Sequence, residues 1–132
     1  MAVILDTNAL SAFADGDEKL LRAIGDESEL ALPTIVLGEY LYGIQQSRLR
    51  TSYETWLKAN LFLFDLLPVV RETAERYSEI RQELKAAGTP IPTNELWIAA
   101  MARHHRMRVV TRDGHSRATH FRAISGLHVL GW

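Results

Sequence analysis

The sequence predicts an α/β sandwich in which a small central parallel sheet is flanked by helices. Predicted strands alternate with predicted helices, and the helices outnumber the strands. The two most apolar strands, at residues 3–5 and 109–111, are short and do not alternate apolar with polar residues. Such strands are typical of a parallel sheet that is covered on both faces. The chain has 132 residues, the length of one ordinary domain, so we predict a single domain over residues 1–132.

The first elements follow from apolar runs and the residues that interrupt them. Val3-Ile4-Leu5 is a β-rich run that ends at the polar cluster Asp6-Thr7-Asn8. Residues 8–14 form a short predicted helix, closed by Asp15-Gly16-Asp17, and a second helix follows at 18–25. The next predicted elements are a strand at 29–32, which Pro33 ends, and a helix at 35–46, which Thr34 caps.

The middle of the chain contains the clearest amphipathic helix, at residues 72–87. Its apolar residues recur every three or four positions, and Gly88 follows as a C-terminal stop. Before it lie a predicted helix at 50–64 and a short strand at 66–69.

The last third begins with a loop marked by Pro90 and Pro92. A helix capped by Thr93 or Asn94 runs to about Arg106. The remaining predictions are a strand at 109–111, a turn at 112–114, a polar irregular stretch at 114–124 and a last strand at 127–130.

Charge is distributed unevenly, although the formal net charge is only −1. Residues 1–100 carry nine Lys or Arg and fifteen Asp or Glu, whereas residues 101–132 carry six Arg and one Asp. A basic end beside acidic clusters suits a protein that binds both a phosphate backbone and metal ions. Chance acidity of the helix surfaces is the alternative.

Composition limits where the protein works. There is no cysteine, which excludes disulfides and thiolate metal sites and suits a reducing cytoplasm. No apolar stretch approaches the roughly 20 residues of a membrane span, and the first residues lack the features of a signal peptide. We therefore predict a cytoplasmic protein that does not enter a membrane.

Two aspartates follow predicted strands directly. Asp6 comes after the first strand, and Asp113 comes just past the strand at 109–111. In open parallel sheets, ligands bind outside the carboxyl ends of strands where the strand order reverses, so neighbouring strands would bring these carboxylates together. Each could instead cap a helix or a turn.

Two glutamates lie in apolar helical surroundings. Glu39 is the one charge within residues 35–41, and Gly38 and Gly43 flank it. A buried carboxylate is unfavourable unless it is paired or bound to metal, and each glycine weakens a helix by roughly 1 kcal/mol relative to Ala. Both costs are explained if the helix approaches something closely at the glycines and Glu39 faces a polar site. Glu95 begins an apolar helix at the mouth of the core. A surface position for Glu39 and simple helix-dipole electrostatics for Glu95 are the alternatives.

Four carboxylates without cysteine or well-spaced histidine ligands favour hard cations, Mg²⁺ or Mn²⁺. Such ions usually serve phosphate chemistry, because they lower the pKa of bound water and neutralise charge on the leaving oxygen.

The same residues resemble the motifs of PIN-domain nucleases. Leu5-Asp6-Thr7-Asn8 is similar to the opening D-x-N motif, and Glu39-Tyr40-Leu41-Tyr42-Gly43 to E-x-x-x-G. Residues 95–100 occupy the third motif, and Val110-Thr111-Arg112-Asp113 resembles the fourth, T-x-D. The resemblance spans the chain. With its small size and its Asn94-Glu95-Leu96-Trp97-Ile98-Ala99-Ala100 stretch, the chain looks most like the VapC-type toxins of toxin–antitoxin pairs.

This resemblance implies a PIN-like fold over residues 1–132 and a Mg²⁺- or Mn²⁺-dependent endoribonuclease that cuts structured RNA such as tRNA or rRNA. It implies a homodimer silenced by a VapB-like antitoxin. Asp6, Glu39 and Asp113 match the family's metal carboxylates, and Asn8 and Thr111 match their polar supports. Glu95 departs from the usual Asp, and we hypothesise that it keeps contact with the metal but weakens it.

The basic end supplies candidate RNA contacts, which are Arg103, Arg106, Arg108, Arg112 and Arg117. The alternatives are a solvated basic face, contacts to the antitoxin, or simple neutralisation of the acidic cluster by the arginines near it. Two other functions stay open: a PIN module of attenuated activity that binds RNA or antitoxin, and a metal-dependent phosphodiesterase of small substrates.

Overall fold

The computed structural model describes residues 2–26 and 29–132. Five strands form one sheet: β1 at Ala2–Leu5, β2 at Glu29–Pro33, β3 at Phe64–Leu67, β4 at Arg108–Thr111 and β5 at Val129–Gly131. Their order is β3-β2-β1-β4-β5, and every neighbouring pair is parallel. The predicted small parallel sheet is therefore confirmed.

Seven α-helices flank the sheet: α1 at Thr7–Ala14, α2 at Glu18–Ile24, α3 at Thr34–Gln45, α4 at Arg50–Asn60, α5 at Arg71–Ala87, α6 at Thr93–His105 and α7 at Ser116–Arg122. Val3, Ile4 and Leu5 of β1 and Val109 and Val110 of β4 are fully buried. Within the described ranges, no helix is long and apolar enough to cross a membrane.

The strand order reverses between β1 and β4. From β1 the chain proceeds outward through β2 and β3 on one side, and β4 and β5 complete the other side. Leu5 pairs with Val110, and the backbone N–H of Asp6 donates to the carbonyl of Val110 at 3.2 Å. Asp6 and Thr111 therefore leave the sheet side by side, at the position where open parallel sheets bind ligands.

Two boundaries near the middle of the chain differ from the prediction. The helix predicted at 50–64 ends at Asn60, followed by a 3₁₀ turn at Leu61–Leu63, and the predicted strand lies at 64–67 rather than 66–69. Phe64 starts this strand because its ring packs on Phe13 and Trp56. A continuous apolar run carries no periodicity to locate such a boundary, which tertiary packing decides.

The stretch predicted to be irregular contains α7. His115 caps this helix by accepting from the backbone N–H of Arg117 at 3.1 Å, and Ala118 and Phe121 are buried on one face. Seven residues with only two buried side chains give too weak a periodic signal to be recognised. The last strand also begins two residues later than predicted, at Val129.

Candidate active site

Asp6 is a fully buried carboxylate at the carboxyl end of β1. One oxygen accepts from the backbone N–H of Ala9 at 2.9 Å and so caps α1, and the other accepts from the Thr111 hydroxyl. Burial raises the pKa of Asp6 from 3.8 to about 6, against the lowering effect of these two bonds. The expected capping role and the expected site position are thus combined in one side chain.

Asn8 and Thr111 connect the ends of β1 and β4. The side-chain oxygen of Asn8 accepts from the backbone N–H of Arg112 at 3.0 Å and lies 3.5 Å from the Thr111 hydroxyl. The Asn8 amide nitrogen is buried and has no hydrogen-bond partner among the described residues. Both residues therefore lie where supporting groups for Asp6 are needed.

Glu39 projects from α3 towards the same end of the sheet. Its carboxylate accepts from the Thr7 hydroxyl at 2.7 Å and from Arg117 Nη2 at 2.6 Å. Burial raises the pKa of Glu39, but the bonds from Arg117 and Thr7 outweigh it, so the pKa lies below its ordinary value. The prediction that Glu39 faces a polar site agrees with this geometry.

The explanation offered for the glycines that flank Glu39 is wrong. Gly38 and Gly43 are both exposed, and a Cβ built on either meets no atom within 4 Å. Helix α3 therefore makes no close approach at these positions, although each glycine costs about 1 kcal/mol relative to Ala.

Glu95 lies in the first turn of α6 and is 5% exposed. One oxygen is 2.5 Å from His120 Nδ1, and the other is 3.4 Å from Arg117 Nε. The helix dipole alone does not account for Glu95, because its carboxylate is buried against two side chains of α7, those of Arg117 and His120.

Arg117 lies at the centre of the acidic group. Its guanidinium binds Glu39 and Glu95, and it donates to the Thr7 hydroxyl at 3.2 Å. Burial lowers the pKa of Arg117, but the nearby carboxylates outweigh this effect and raise it further above its ordinary value. Three buried or half-buried carboxylates, those of Asp6, Glu39 and Glu95, therefore surround one permanent positive charge.

Asp113 was expected beside Asp6, but its carboxylate is paired elsewhere. Its carboxylate binds Arg122 at 2.6 Å, and both side chains are about half exposed. A Cβ built on Gly131 would lie 2.1 Å from Asp113 Oδ1, so the carboxylate is turned towards β5. The group of β4 that reaches Asp6 is Thr111, because Thr111 is the last strand residue whereas Asp113 lies in the turn that follows.

We expect Gly131→Ala to lower the free energy of unfolding by about 1 kcal/mol, because the new methyl group overlaps the Asp113 carboxylate. Asp113→Ala alone should cost less than about 1 kcal/mol, since its ion pair is exposed. In the double variant, Asp113→Ala should remove the cost of Gly131→Ala, because the carboxylate that the new methyl group overlaps is gone. Urea unfolding of the four proteins measures this coupling, and additive effects would show that the carboxylate does not lie against Gly131.

The five predicted RNA-binding arginines do not lie together. Arg103, Arg106 and Arg108 lie at the end of α6 and the start of β4, which is the sheet edge opposite Asp6. Arg103 binds Glu83 at 2.7 Å and the carbonyl of Ser125 at 3.0 Å. The length of β4 therefore separates these three arginines from the end of the strand where Arg112 follows Thr111.

Arg117 lies among the carboxylates, and the backbone of Arg112 lies beside Asn8. Arg112 follows β4 and places its guanidinium 5.5 Å from the ring centre of Trp132. The contacts of Arg117 agree with the alternative in which an arginine neutralises the acidic cluster, and Thr7 and His120 join the site without having been singled out as site residues. The Thr7 signal was available within Asp6-Thr7-Asn8, whereas His120 depended on recognising α7.

Chemically, the site offers only oxygen donors of high negative charge, which suits a hard divalent cation. Among residues 2–26 and 29–132, however, no three His, Asp or Glu side chains form a ready metal-binding group. The Arg117 guanidinium binds the carboxylates at the position that a cation would share. Donor chemistry and charge therefore fit a cation, provided that the guanidinium gives way.

Comparisons with known proteins agree on one family. The PIN domain model matches residues 3–122. Ribonuclease VapC2 of Rickettsia felis is 26% identical over 136 aligned residues, which cover 100% of this chain and 98% of the relative.

Solved structures give the same result. A crystal structure of VapBC2 from Rickettsia felis, bound to a promoter DNA fragment, contains a chain with a TM-score of 0.84 and 25% identity, covering 100% of this chain and 99% of that one. FitAcB from Neisseria gonorrhoeae contains a chain with a TM-score of 0.76 and 26% identity, with 98% and 96% covered.

Proposed function

Because the chain belongs to the PIN domain family, we propose that it is a divalent-cation-dependent endoribonuclease of the VapC type, the toxin of a toxin–antitoxin pair. One observation carries the proposal. Asp6, Glu39 and Glu95 come from three separate elements and converge at the sheet edge where the strand order reverses. Buried carboxylates are unfavourable for folding alone, and their concentration at this edge is typical of a functional site.

The partners follow from the relatives. Over nearly its whole length the chain resembles a protein named a ribonuclease and a chain of a VapBC complex. We therefore propose a VapB-like antitoxin as its inhibitor, structured RNA such as tRNA or rRNA as its substrate, a homodimeric assembly and a cytoplasmic location.

We propose Mg²⁺ or Mn²⁺ as the cofactor, with Asp6, Glu39 and Glu95 as its ligands and Asp113 as a further ligand if it leaves Arg122. A bound divalent cation supplies an activated water and neutralises charge on the leaving oxygen. Thr111 and the Ala9 amide orient the Asp6 carboxylate, and Thr7 orients that of Glu39.

Positively charged side chains of the protein would bind the phosphate backbone of the substrate. Arg117 reaches the centre of the site, and Arg112 lies at the end of β4 beside Asn8. Both can hold phosphate oxygens next to the bond that is cut, because a guanidinium binds phosphate with two parallel hydrogen bonds. Arg103, Arg106 and Arg108 could contact RNA only at the far edge of the sheet.

The decisive experiment incubates the purified protein with total tRNA and rRNA in Mg²⁺, in Mn²⁺ and in EDTA. Discrete cleavage products with either ion, absent in EDTA, are expected. A phosphodiesterase of small substrates would cut bis-p-nitrophenyl phosphate but leave the RNA intact. A non-catalytic binding module would bind RNA under all three conditions without forming products; Glu95 in place of Asp and the position of Arg117 among the carboxylates are the observations that favour this alternative.

We expect Glu95→Asp to shift the Mg²⁺ dependence of cleavage to roughly tenfold lower concentration. The Glu95 carboxylate spans Arg117 and His120. An Asp, about one bond or 1.5 Å shorter, cannot reach both, so it is freer to bind the cation. Glu83→Asp, a surface change beside Arg103, is the matched control. An unchanged midpoint and rate would contradict a weakening role for Glu95.

A further inference from the structure

A cavity of about 280 Å³ lies beside the carboxylates, between α1, α3 and the start of α4. Thr7, Ser11 and Glu39 line both this cavity and the surface depression that contains Arg117. The two spaces therefore adjoin each other, and a molecule that is bound at the carboxylates lies next to the cavity. Its volume is near the lower limit for small-molecule sites, which suits a single ring system.

Tyr40 lines this cavity and carries an unused hydrogen-bonding group. The residue is 4% exposed, and its buried hydroxyl has no hydrogen-bond partner among the described residues. Burial raises the pKa of Tyr40 to about 12, with contributions from Tyr53 and Asp15, which line the same cavity. The hydroxyl thus stays neutral and able to donate. A buried hydroxyl without a partner is unfavourable, so a ligand that reached it from the cavity would relieve this cost.

Gly43 provides a second, independent observation. It lies within α3, lines the cavity, and leaves open space where a Cβ would project. Its backbone needs no positive φ, and nothing packs against it, so folding gives no reason for glycine here. A larger side chain would project into the cavity. Gly38 has the same exposure and open surroundings but does not line it, and nothing in the structure explains that glycine.

The lining chemistry identifies the kind of ligand. Tyr53 donates to Asp15 Oδ1 at 3.1 Å, so an aromatic ring and a carboxylate lie together at one wall. Ser11 and Ser47 add hydroxyls, and neither Lys nor Arg lines the cavity. Phosphate would be repelled by Asp15 and Glu39. A flat ring that stacks on tyrosine and donates amino hydrogens to a carboxylate would be bound, which is how proteins bind unstacked RNA bases.

We propose that this cavity binds one unstacked, amino-bearing base of the RNA next to the bond that is cut. The inference rests on the proposed ribonuclease function and adds a specificity site to it. The base stacks on the Tyr53 ring, donates its amino hydrogens to the Asp15 carboxylate and accepts from the Tyr40 hydroxyl.

Binding is measured first, in EDTA, with fluorescent single-stranded octamers of A, C or U. The native chain should bind A and C octamers at least threefold more tightly than U. Gly43→Leu, which fills the cavity, should weaken A and C binding about tenfold, consistent with the loss of one base–aromatic stack. Gly38→Leu, the matched change on the same helix, should stay within twofold. Asp15→Asn should remove most of the preference over U, because the Asp15 carboxylate is the group that accepts the amino hydrogens.

Cleavage of tRNA in Mg²⁺ by the same variants separates the two proposals. Equal binding and cleavage by Gly43→Leu and Gly38→Leu would overturn the base site and leave the ribonuclease proposal intact. Absence of cleavage by the native chain, with octamer binding still dependent on Gly43, would overturn the ribonuclease and retain the base site. Equal affinity of the native chain for all three octamers would overturn the base preference.

Discussion

Asp6→Asn should reduce RNA cleavage by a factor of about 10³ while making the metal-free protein more stable. Loss of one charged group that acts on the transition state typically costs about 10²–10³ in rate, and here that group is also a proposed cation ligand. The carboxamide keeps the shape of the carboxylate, and its oxygen can still accept from the Ala9 amide and cap α1. Cleavage of tRNA under saturating Mg²⁺ measures the loss.

The gain in stability follows from the sign of the pKa shift. Burial raises the pKa of Asp6 to about 6, so the folded state binds more protons than the unfolded state between pH 4 and pH 6. The native protein therefore loses stability as pH rises through this window. The total loss is up to about 3 kcal/mol, since each pKa unit corresponds to about 1.4 kcal/mol. The Asn variant lacks this decline, so its advantage should grow from pH 4 to pH 7.

Asp17→Asn is the matched control, because Asp17 also caps a helix but contacts none of the proposed cation ligands. Its side chain accepts from the backbone N–H groups of Leu20 and Lys19, and chiefly the Leu20 bond lowers its pKa, with smaller contributions from Trp132 and Arg112. The ionised form is favoured here, so this variant should lose a little stability at pH 7 and keep most of its cleavage activity. Denaturant unfolding in EDTA at pH 4 and pH 7 compares the two. Equal losses of stability in both variants would contradict a carboxylate destabilised by burial at Asp6.

The sequence located the acidic residues better than their surroundings. Asp6 could be predicted because an apolar run ends at it, and Glu39 because it interrupts an apolar helix. Asp113 satisfied the same strand-end argument, yet its carboxylate binds Arg122 beyond the turn. Strand ends are visible as patterns, but the direction of a side chain two residues beyond a strand depends on the loop that follows.

The sequence left the role of Arg117 open between a phosphate contact and neutralisation of the acidic cluster. Whether an arginine faces solvent or carboxylates depends on the placement of α7, which shows little periodicity of its own. Only the packed structure brings α3, α6 and α7 together around this guanidinium. The charge asymmetry of the chain therefore indicated an acidic site and a basic end but not that one arginine would enter the acidic site.

Arg117→Gln should destabilise the metal-free protein by about 3 kcal/mol and tighten Mn²⁺ binding at least tenfold. The Arg117 side chain is only 14% exposed, and its partners Glu39 and Glu95 are 21% and 6% exposed. Removing one member of a buried ion pair costs about 3–5 kcal/mol, because the remaining charge keeps its desolvation penalty. The lower end applies here, since Glu39 keeps the Thr7 bond and glutamine keeps a donor.

A divalent cation should restore most of this lost stability, because it supplies positive charge to the same carboxylates. In the native protein the cation must compete with the guanidinium, whereas in Arg117→Gln that competitor is gone. Thermal unfolding with and without Mn²⁺, together with titration of free Mn²⁺ by electron paramagnetic resonance, gives both quantities without depending on cleavage. Tenfold tighter binding corresponds to about 1.4 kcal/mol, which is well within what the lost ion pairs make available.

Arg50→Gln controls for the general loss of one positive charge. Arg50 pairs with Glu54 on the surface of α4, and both side chains are largely exposed, so this change should cost less than about 1 kcal/mol and leave Mn²⁺ affinity within twofold. If Arg117→Gln bound Mn²⁺ no more tightly than Arg50→Gln does, the guanidinium and the cation would not share a position. The carboxylates would then bind a cation beside Arg117, and the charge of Arg117 would be a permanent part of the site.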